Sequence, residues 1–379
     1  MVKVLEVNVD DNGYGGVYAF VLNILENIDR KFQIDLCSFE KFEKQSNIDY
    51  VESFGGKVHY CCYEGNPIKK QLGCFKGLYN LIKNSHYDTV HIHSDVSYKL
   101  FLYGLAVKLG GASNILIHSH STAVDGKHRN IKDFLHHLFR FFLPLIGDKF
   151  LACSQEAGKW MFLDCILRGK NFFQINNGIN TLKFSYSSKR RLQVRKNLRL
   201  DDDFVVGHIG RFCYQKNHEF LIHVFNEIVK MQPNAKLLLV GSYVGDPFYF
   251  TITHKLVDKL GLDDNVLFLG IRNDVPDLMQ AMDCFVLPSR SEGLGIVGIE
   301  AQAAGLPCFF SSEVPREVGV TNLSHFIALN TPLKKWAECI IQHSQGIRQT
   351  RQQEIRDAGY DAKQEIKRLE RLYSFRNER

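Results

Sequence analysis

The chain has 379 residues, 45% of them hydrophobic and 12% aromatic, enough for two globular domains with sizeable cores. Its net charge of +6 is mild and no dense Lys/Arg stripe runs along it, which argues against nucleic acid as a partner; a mildly basic face suits an anionic membrane surface or an anionic substrate. The ten cysteines show neither C-x-x-C nor zinc spacing, Met1 to Asn8 alternates like a strand, and no apolar run reaches the roughly 18–20 residues of a membrane span, so reduced, buried thiols in a cytoplasmic protein are expected.

Residues 2–9 predict a first strand, followed by the loop from Asp10 to Gly16 and helical spacing from Val17 to Ile28. Strand, glycine loop and helix open a Rossmann-like unit. The glycines fall at Gly13, Gly15 and Gly16, with Tyr18 where the dinucleotide fingerprint wants a third glycine, so a loop that lets a substrate approach the backbone is favoured over an NAD site. Asp10 and Asp11 receive no role. Further strands are expected at 34–39, 58–61, 89–92, 115–117 and 150–152, and helices at 68–84, 96–109 and 130–143. That alternation predicts a parallel, doubly wound sheet, which binds ligands at the carboxyl ends of its strands.

Two histidine groups fall at such ends, His91-Ile92-His93 and His118-Ser119-His120. Histidines two apart on a strand share a face and raise the question of a metal. No third ligand at suitable spacing supports one, and His93 reads as a packed or hydrogen-bonded strand-end residue. Residues 127–146 mix Lys, Arg and His with Phe and Leu. They suit a helix lying on a lipid monolayer or at a lipid acceptor's edge, or a core-facing helix with a solvated basic face; the spread of Phe and Leu around the helix favours the core. Asp148 to Glu156 reads as a strand, then a helix capped by Ser154.

Phe172 to Asn180 is a strand ending in Asn177-Gly178, and the polar residues 181–203 read as a linker. A second alternation begins with a strand at 204–209, then Gly210-Arg211, Lys216 and a helix from His218. A Gly-Arg…Lys group is an ordinary solvated loop, or at a strand end it can neutralise a diphosphate. Strands are expected at 236–240, 266–269, 283–287 and 326–328, and helices at 333–346 and over the charged stretch 350–375. Between them, Pro288 to Pro307 turns from strand to helix across Glu292-Gly293-Leu294-Gly295, with Glu300 inside the helix. Free amides and the dipole at such a helix start suit a diphosphate. A carboxylate one turn in can take a ribose diol, and the turn carboxylate can face a sugar. The alternative is a solvated glutamate pair around an ordinary turn.

The run from 283 to 307 resembles the E-x7-E signature of GT-B glycosyltransferases, in the large retaining family numbered four (glycosyl transferases group 1), and is similar in character to bacterial exopolysaccharide and capsule enzymes. The glycine loop, His118-Ser119-His120, Asn177-Gly178-Ile179, Gly210-Arg211…Lys216 and Glu292…Glu300 follow in family order. Asn176 and Asn180 stand where the family has proline and aspartate, and Asn180 is assigned no chemistry. The resemblance implies an α/β fold of two Rossmann-like doubly wound domains (GT-B) with a cleft between them and a C-terminal helix crossing back. The expected boundaries are 1–180 plus about 355–379 for the acceptor side and 181–354 for the nucleotide-sugar side.

It further implies a retaining, metal-independent hexosyltransferase that moves a sugar from a nucleoside-diphosphate sugar, with UDP expected, to a saccharide or polyprenyl-linked acceptor. No cofactor and no nucleic acid are implied. The protein would be cytoplasmic, with peripheral contact at the inner face of the plasma membrane. The residues carried over as catalytic are His120, Glu292, Arg211 and Lys216. Donor binding falls to Gly15, Gly16, Arg211, Lys216, Arg272, Val275, Glu292, Gly293, Leu294, Gly295 and Glu300. His120 would hydrogen-bond a sugar hydroxyl, Arg211 and Lys216 would absorb the charge of the leaving diphosphate, Glu300 would hold the ribose, and Arg272 and Val275 would border the base. A nucleotide-sugar epimerase and a non-catalytic partner subunit of a glycosyltransferase complex are the alternatives.

Overall fold

A computed structural model describes residues 1–11, 16–124, 129–200, 202–243 and 247–374. They divide into two compact units, Met1–Gly178 with the C-terminal Ala362–Arg379, and Ile179–Asp361. Each unit is built on one parallel sheet.

The first sheet holds β1 (Val2–Val7), β2 (Phe32–Ser38), β3 (Val58–Tyr60), β4 (Thr89–Ser94), β5 (Ile115–Ser119), β6 (Lys149–Ala152) and β7 (Phe172–Gln174) in the order 3-2-1-4-5-6-7. Its strands are near-continuous apolar runs because helices cover both faces. Leu5, Ile24, Leu36, Leu116 and Leu151 are fully or almost fully buried. The order reverses between β1 and β4, which is where an open α/β sheet binds ligands. The helix Ala362–Ser374 belongs to this unit, and its Ile366, Leu369, Leu372 and Tyr373 complete the core around Val4 and Phe32.

The second sheet holds β8 (Phe204–Ile209), β9 (Ala235–Val240), β10 (Val266–Gly270), β11 (Cys284–Leu287), β12 (Cys308–Ser311) and β13 (Ser324–Ile327) in the order 10-9-8-11-12-13. Here the reversal lies between β8 and β11, paired through Cys284–Val206 and Phe285–Gly207. The core packs Trp336, Phe225, Phe309, Leu237 and Val286. A Cβ on Gly241 would sit 1.9 Å from the Gly210 carbonyl oxygen, so the ends of β8 and β9 meet only because position 241 is glycine.

Three expectations fail. Residues 181–203 are not a linker but carry the helices Thr181–Phe184 and Ser188–Leu198, with Asn180 and Ser187 as N-caps. Their arginines point inward: Arg191 donates to the carbonyls of Gln280, Ala281 and Met282, and Arg195 to that of Ala281. The charged stretch 350–375 is not one helix. It breaks at Gly359, whose φ of +80° closes Gln352–Asp357 before Ala362–Ser374 begins. The helix Arg129–Phe139 and the 3-10 turn Arg140–Leu145 do not bury most of their apolar residues: Ile131, Phe134, Phe141 and Leu145 are 63, 67, 64 and 62% exposed. The ten cysteines are free thiols, and among the described residues no helix is long and apolar enough to cross a membrane.

Candidate functional site

The second unit gathers its candidates at the switch point. β8 delivers Arg211 and Lys216, and β11 delivers the turn from Pro288 to Gly295. The two loops are laced together. The Arg290 amide donates to the Gln215 carbonyl at 2.7 Å, the Gln215 side chain donates to the Ser291 carbonyl at 2.7 Å, and Asn217, at a φ of +59°, donates to the Pro288 carbonyl at 3.1 Å. This lacing sets Lys216 Nζ 2.7 Å from Glu292 Oε1 in a largely buried ion pair.

Gly295 then turns the chain at a φ of +84° and opens the helix Ile296–Ala303. The glycine is needed because a β-carbon is strained at that angle. Leu294 is buried, Gly293 partly so, and the N-cap position, Gly295, has no side chain to cap the helix start. Glu300 lies inside that helix. Burial pushes its carboxyl up to about 8, partly offset by Lys183, so it is mostly neutral at pH 7. Among the described residues its carboxyl has no hydrogen-bond partner. Arg211 is exposed and makes no hydrogen bond or ion pair among the described residues.

Arg272 is differently employed. Its Nε and Nη2 clasp both oxygens of Asp274 at 2.8 and 2.6 Å, which raises the guanidinium's pKa and lowers that of the carboxyl. Val275 begins the helix Val275–Ala281. Asp274 occupies the N-cap of that helix without a side-chain capping bond.

In the first unit Gly13 and Gly15 lie outside the described residues, and Gly16 opens the helix Gly16–Asn27 in an exposed position. His120 follows β5, and its Nε2 is 2.8 Å from His93 Nδ1. The sequence offered no third partner for His91 and His93; the sheet supplies one. His91, His93 and His118 have ring nitrogens within 4.8 Å of one another, the spacing of a metal-ligand set. His91 Nε2 is engaged with His118 Nδ1 at 3.1 Å and His93 Nε2 with Glu6 at 2.7 Å, while His118 Nε2 has no partner among the described residues. Sequence reasoning missed Glu6 and Tyr373, which complete this cluster. It also gave Asp11 no role, yet its buried carboxylate accepts from the amides of Glu43 and Lys44 and from Asn47.

Two parallel-sheet Rossmann-like units, the second with a cationic, glycine-turned helix start at its switch point, define the GT-B class. The solved structure of Anabaena Alr3699/HepE in complex with UDP and glucose superimposes with a TM-score of 0.78, covering 99% of this chain and all of that one at 19% identity. Residues 189–329, in the second unit, match the family described as Glycosyl transferases group 1. EpsF of Bacillus subtilis (strain 168), a glycosyltransferase by name, is 29% identical over 96% of this chain and 94% of its own. An Escherichia coli UDP-Gal:alpha-D-GlcNAc-diphosphoundecaprenol alpha-1,3-galactosyltransferase is 26% identical over 64% of this chain and 62% of its own.

Proposed function

We propose that this glycosyltransferase moves a sugar from a UDP-sugar, with retention and without a metal, to a polyprenyl-linked saccharide in exopolysaccharide or capsule assembly. The observation that carries the donor half is the Lys216–Glu292 pair at the start of the helix Ile296–Ala303, with Glu300 within it. Lys216, Arg211 and the amides of Leu294 and Gly295 take up the charge of the departing diphosphate, the role a metal would otherwise fill. Glu300 accepts the ribose hydroxyls. In the free protein Glu292 occupies Lys216. An arriving diphosphate competes for that ammonium and frees Glu292 for the sugar hydroxyls. His120 donates to or accepts from a sugar hydroxyl.

The acceptor half is supported by the E. coli relative's name, which gives a diphosphoundecaprenol acceptor. The exposed Ile131, Phe134, Phe141 and Leu145, beside Arg129, Lys132 and Arg140, suit the inner face of an anionic membrane.

Thermal denaturation with saturating UDP, GDP, ADP and NAD is the direct test of the nucleotide. Ligand at a hundred times its dissociation constant adds about 2.7 kcal/mol. Selective stabilisation by UDP is expected, and stabilisation by NAD alone would overturn the reading. Incubation with UDP-hexoses and a polyprenyl-diphosphate saccharide, in EDTA, should then yield an elongated product with the donor's anomeric configuration. An altered nucleotide sugar with no transfer would mean an epimerase. Double replacement of Phe134 and Phe141 by Glu should abolish sedimentation with phosphatidylglycerol vesicles.

A further inference from the structure

Strands β1, β4 and β5 lie side by side and bring Glu6, His91, His93, His118 and His120 together. Glu6, His91, His93 and His118 are wholly buried. The ring of Phe20 packs against all four imidazoles with centroids 5.2 to 6.3 Å away. Glu6 is the hub. Its Oε1 accepts the Tyr373 hydroxyl at 2.5 Å, and its Oε2 lies 3.0 Å from His91 Nδ1 and 2.7 Å from His93 Nε2. Burial opposes its charge, but His91 and His93 together hold the carboxyl far below the usual range.

The protons follow from donor and acceptor roles. A carboxylate only accepts, so His93 Nε2 carries a proton. Burial and the neighbouring His91 lower His93 to about 4, so its ring is neutral at pH 7 and its Nδ1 is a lone pair. That lone pair faces His120 Nε2 at 2.8 Å, which must then carry the proton. One nitrogen of His120 remains, Nδ1, shielded from solvent and without a partner among the described residues.

We propose that Glu6 and His93 are positioning residues that fix His120 as its Nε2–H tautomer, so that the shielded Nδ1 keeps its lone pair and accepts from a sugar hydroxyl once the bound donor uncovers it. Only the naming of that hydroxyl rests on the glycosyl-transfer reading. A second imidazole chain, His91 to His118, leaves the same hub, and Tyr373 ties the hub to the C-terminal helix. The tautomer of His120 is therefore set by a carboxylate two hydrogen bonds away, as a catalytic imidazole is oriented by a buried acid.

The test uses the full chain labelled with 15N-histidine. Long-range proton–nitrogen spectra at pH 7 should show Nε2 protonated and Nδ1 bare in both His93 and His120, the latter identified by its loss in His120→Gln. His93→Phe removes the acceptor, and His120 should then populate both tautomers. Turnover should fall about tenfold, the worth of one hydrogen bond, while UDP affinity, seated in the other unit, stays unchanged. A protonated Nδ1 in the wild-type protein, or an unchanged tautomer in His93→Phe, would overturn the proposal. So would one equivalent of tightly bound metal in the purified protein, which would make the cluster a ligand set instead. The wild-type spectrum needs neither substrate nor a folded variant, so a chain that transferred no sugar would sink the functional reading and leave the relay to be judged alone.

Discussion

Lys216 Nζ and Glu292 Oε1 stand 2.7 Å apart, each from a loop at the end of its own strand, one after β8 and one after β11. The pair neutralises the only charge on either side chain in a largely buried place. A diphosphate and Glu292 therefore compete for one ammonium. Glu292→Gln should free Lys216 and bind UDP about tenfold tighter, or about 1.4 kcal/mol, while sugar transfer collapses. Lys216→Met should lose UDP affinity by about 2 kcal/mol, the worth of one charge-assisted hydrogen bond. Calorimetric titration of both variants with UDP reads this directly, and weaker binding in Glu292→Gln would contradict the competition.

Glu300 supplies a pH dependence of known sign. Its carboxyl is raised to about 8 by burial, so at pH 7 most of the free protein carries it neutral. If the ribose diol donates to the carboxylate, only the ionised form binds well. Affinity for UDP should then climb with pH, approaching tenfold per unit below about 8 and levelling above it. Between pH 7.5 and 8.5 the nucleotide's terminal phosphate, with a second pKa of about 6, is almost fully ionised and adds little slope. Glu300→Gln should bind weakly at every pH with the slope gone. A slope that survives in that variant would assign the titration to another group.

The buried imidazoles make the fold acid-labile. Burial, aided by neighbouring histidines or cations, lowers His93, His136 and His208 to about 4, and holds His118, His120 and His218 well below the ordinary imidazole range. Unfolded histidines titrate near 6.5, so between about 6.5 and 4 the unfolded chain binds more protons and is favoured as pH falls. Glu6, depressed in the fold, adds a loss of the same sign below about 4.5. Glu300, raised to about 8, acts with the opposite sign and favours the fold by about 1.4 kcal/mol per unit as pH falls from 8 towards 4.5. Six imidazoles at about one or more kcal/mol each outweigh it, so stability should still drop by several kcal/mol between pH 7.5 and 5. Urea midpoints at pH 7.5, 6 and 5 measure it. Equal midpoints at 7.5 and 5 would show that the histidines are not held neutral.

How much of this was legible in the chain depended on how local each signal is. The turn Glu292–Gly295 shows in sequence because glycine, charge and the switch from strand to helical period fall within about a dozen residues. The two sheets show through repeated apolar runs. Glu6 and Tyr373 gave no signal: 367 positions separate them, and their bond exists only once the last helix packs against β1. The arginines of 181–203 misled because charge reads as solvent exposure, whereas Arg191 and Arg195 spend theirs on buried carbonyls. Gly359 was overlooked inside a charged, helix-prone stretch, where a single residue at positive φ sufficed to split it.

Those inward arginines converge with a third on the corner that leads into β11. Arg348 donates from Nε to the Ala304 carbonyl at 2.7 Å, from Nη1 to Gln280 and Met282 at 3.0 Å each, and from Nη2 to Met279 at 2.8 Å. Its guanidinium also lies 4.7 Å from the centroid of the Tyr186 ring. Burial and the nearby Arg191 push it down to about 9, so it remains charged at pH 7 and satisfies carbonyls that water does not reach. Arg348→Met keeps the stem and removes every donor. The carbonyls of Met279 and Ala304 are then stranded, and the second unit should lose about 3 kcal/mol. The measurement is hydrogen exchange across β11 and the helix Ile296–Ala303, with the first unit as internal reference. Faster exchange confined to the second unit, with weaker UDP binding, is expected from a corner that holds Glu292 in place. Uniform acceleration in both units would show that Arg348 supports the whole chain and not this corner.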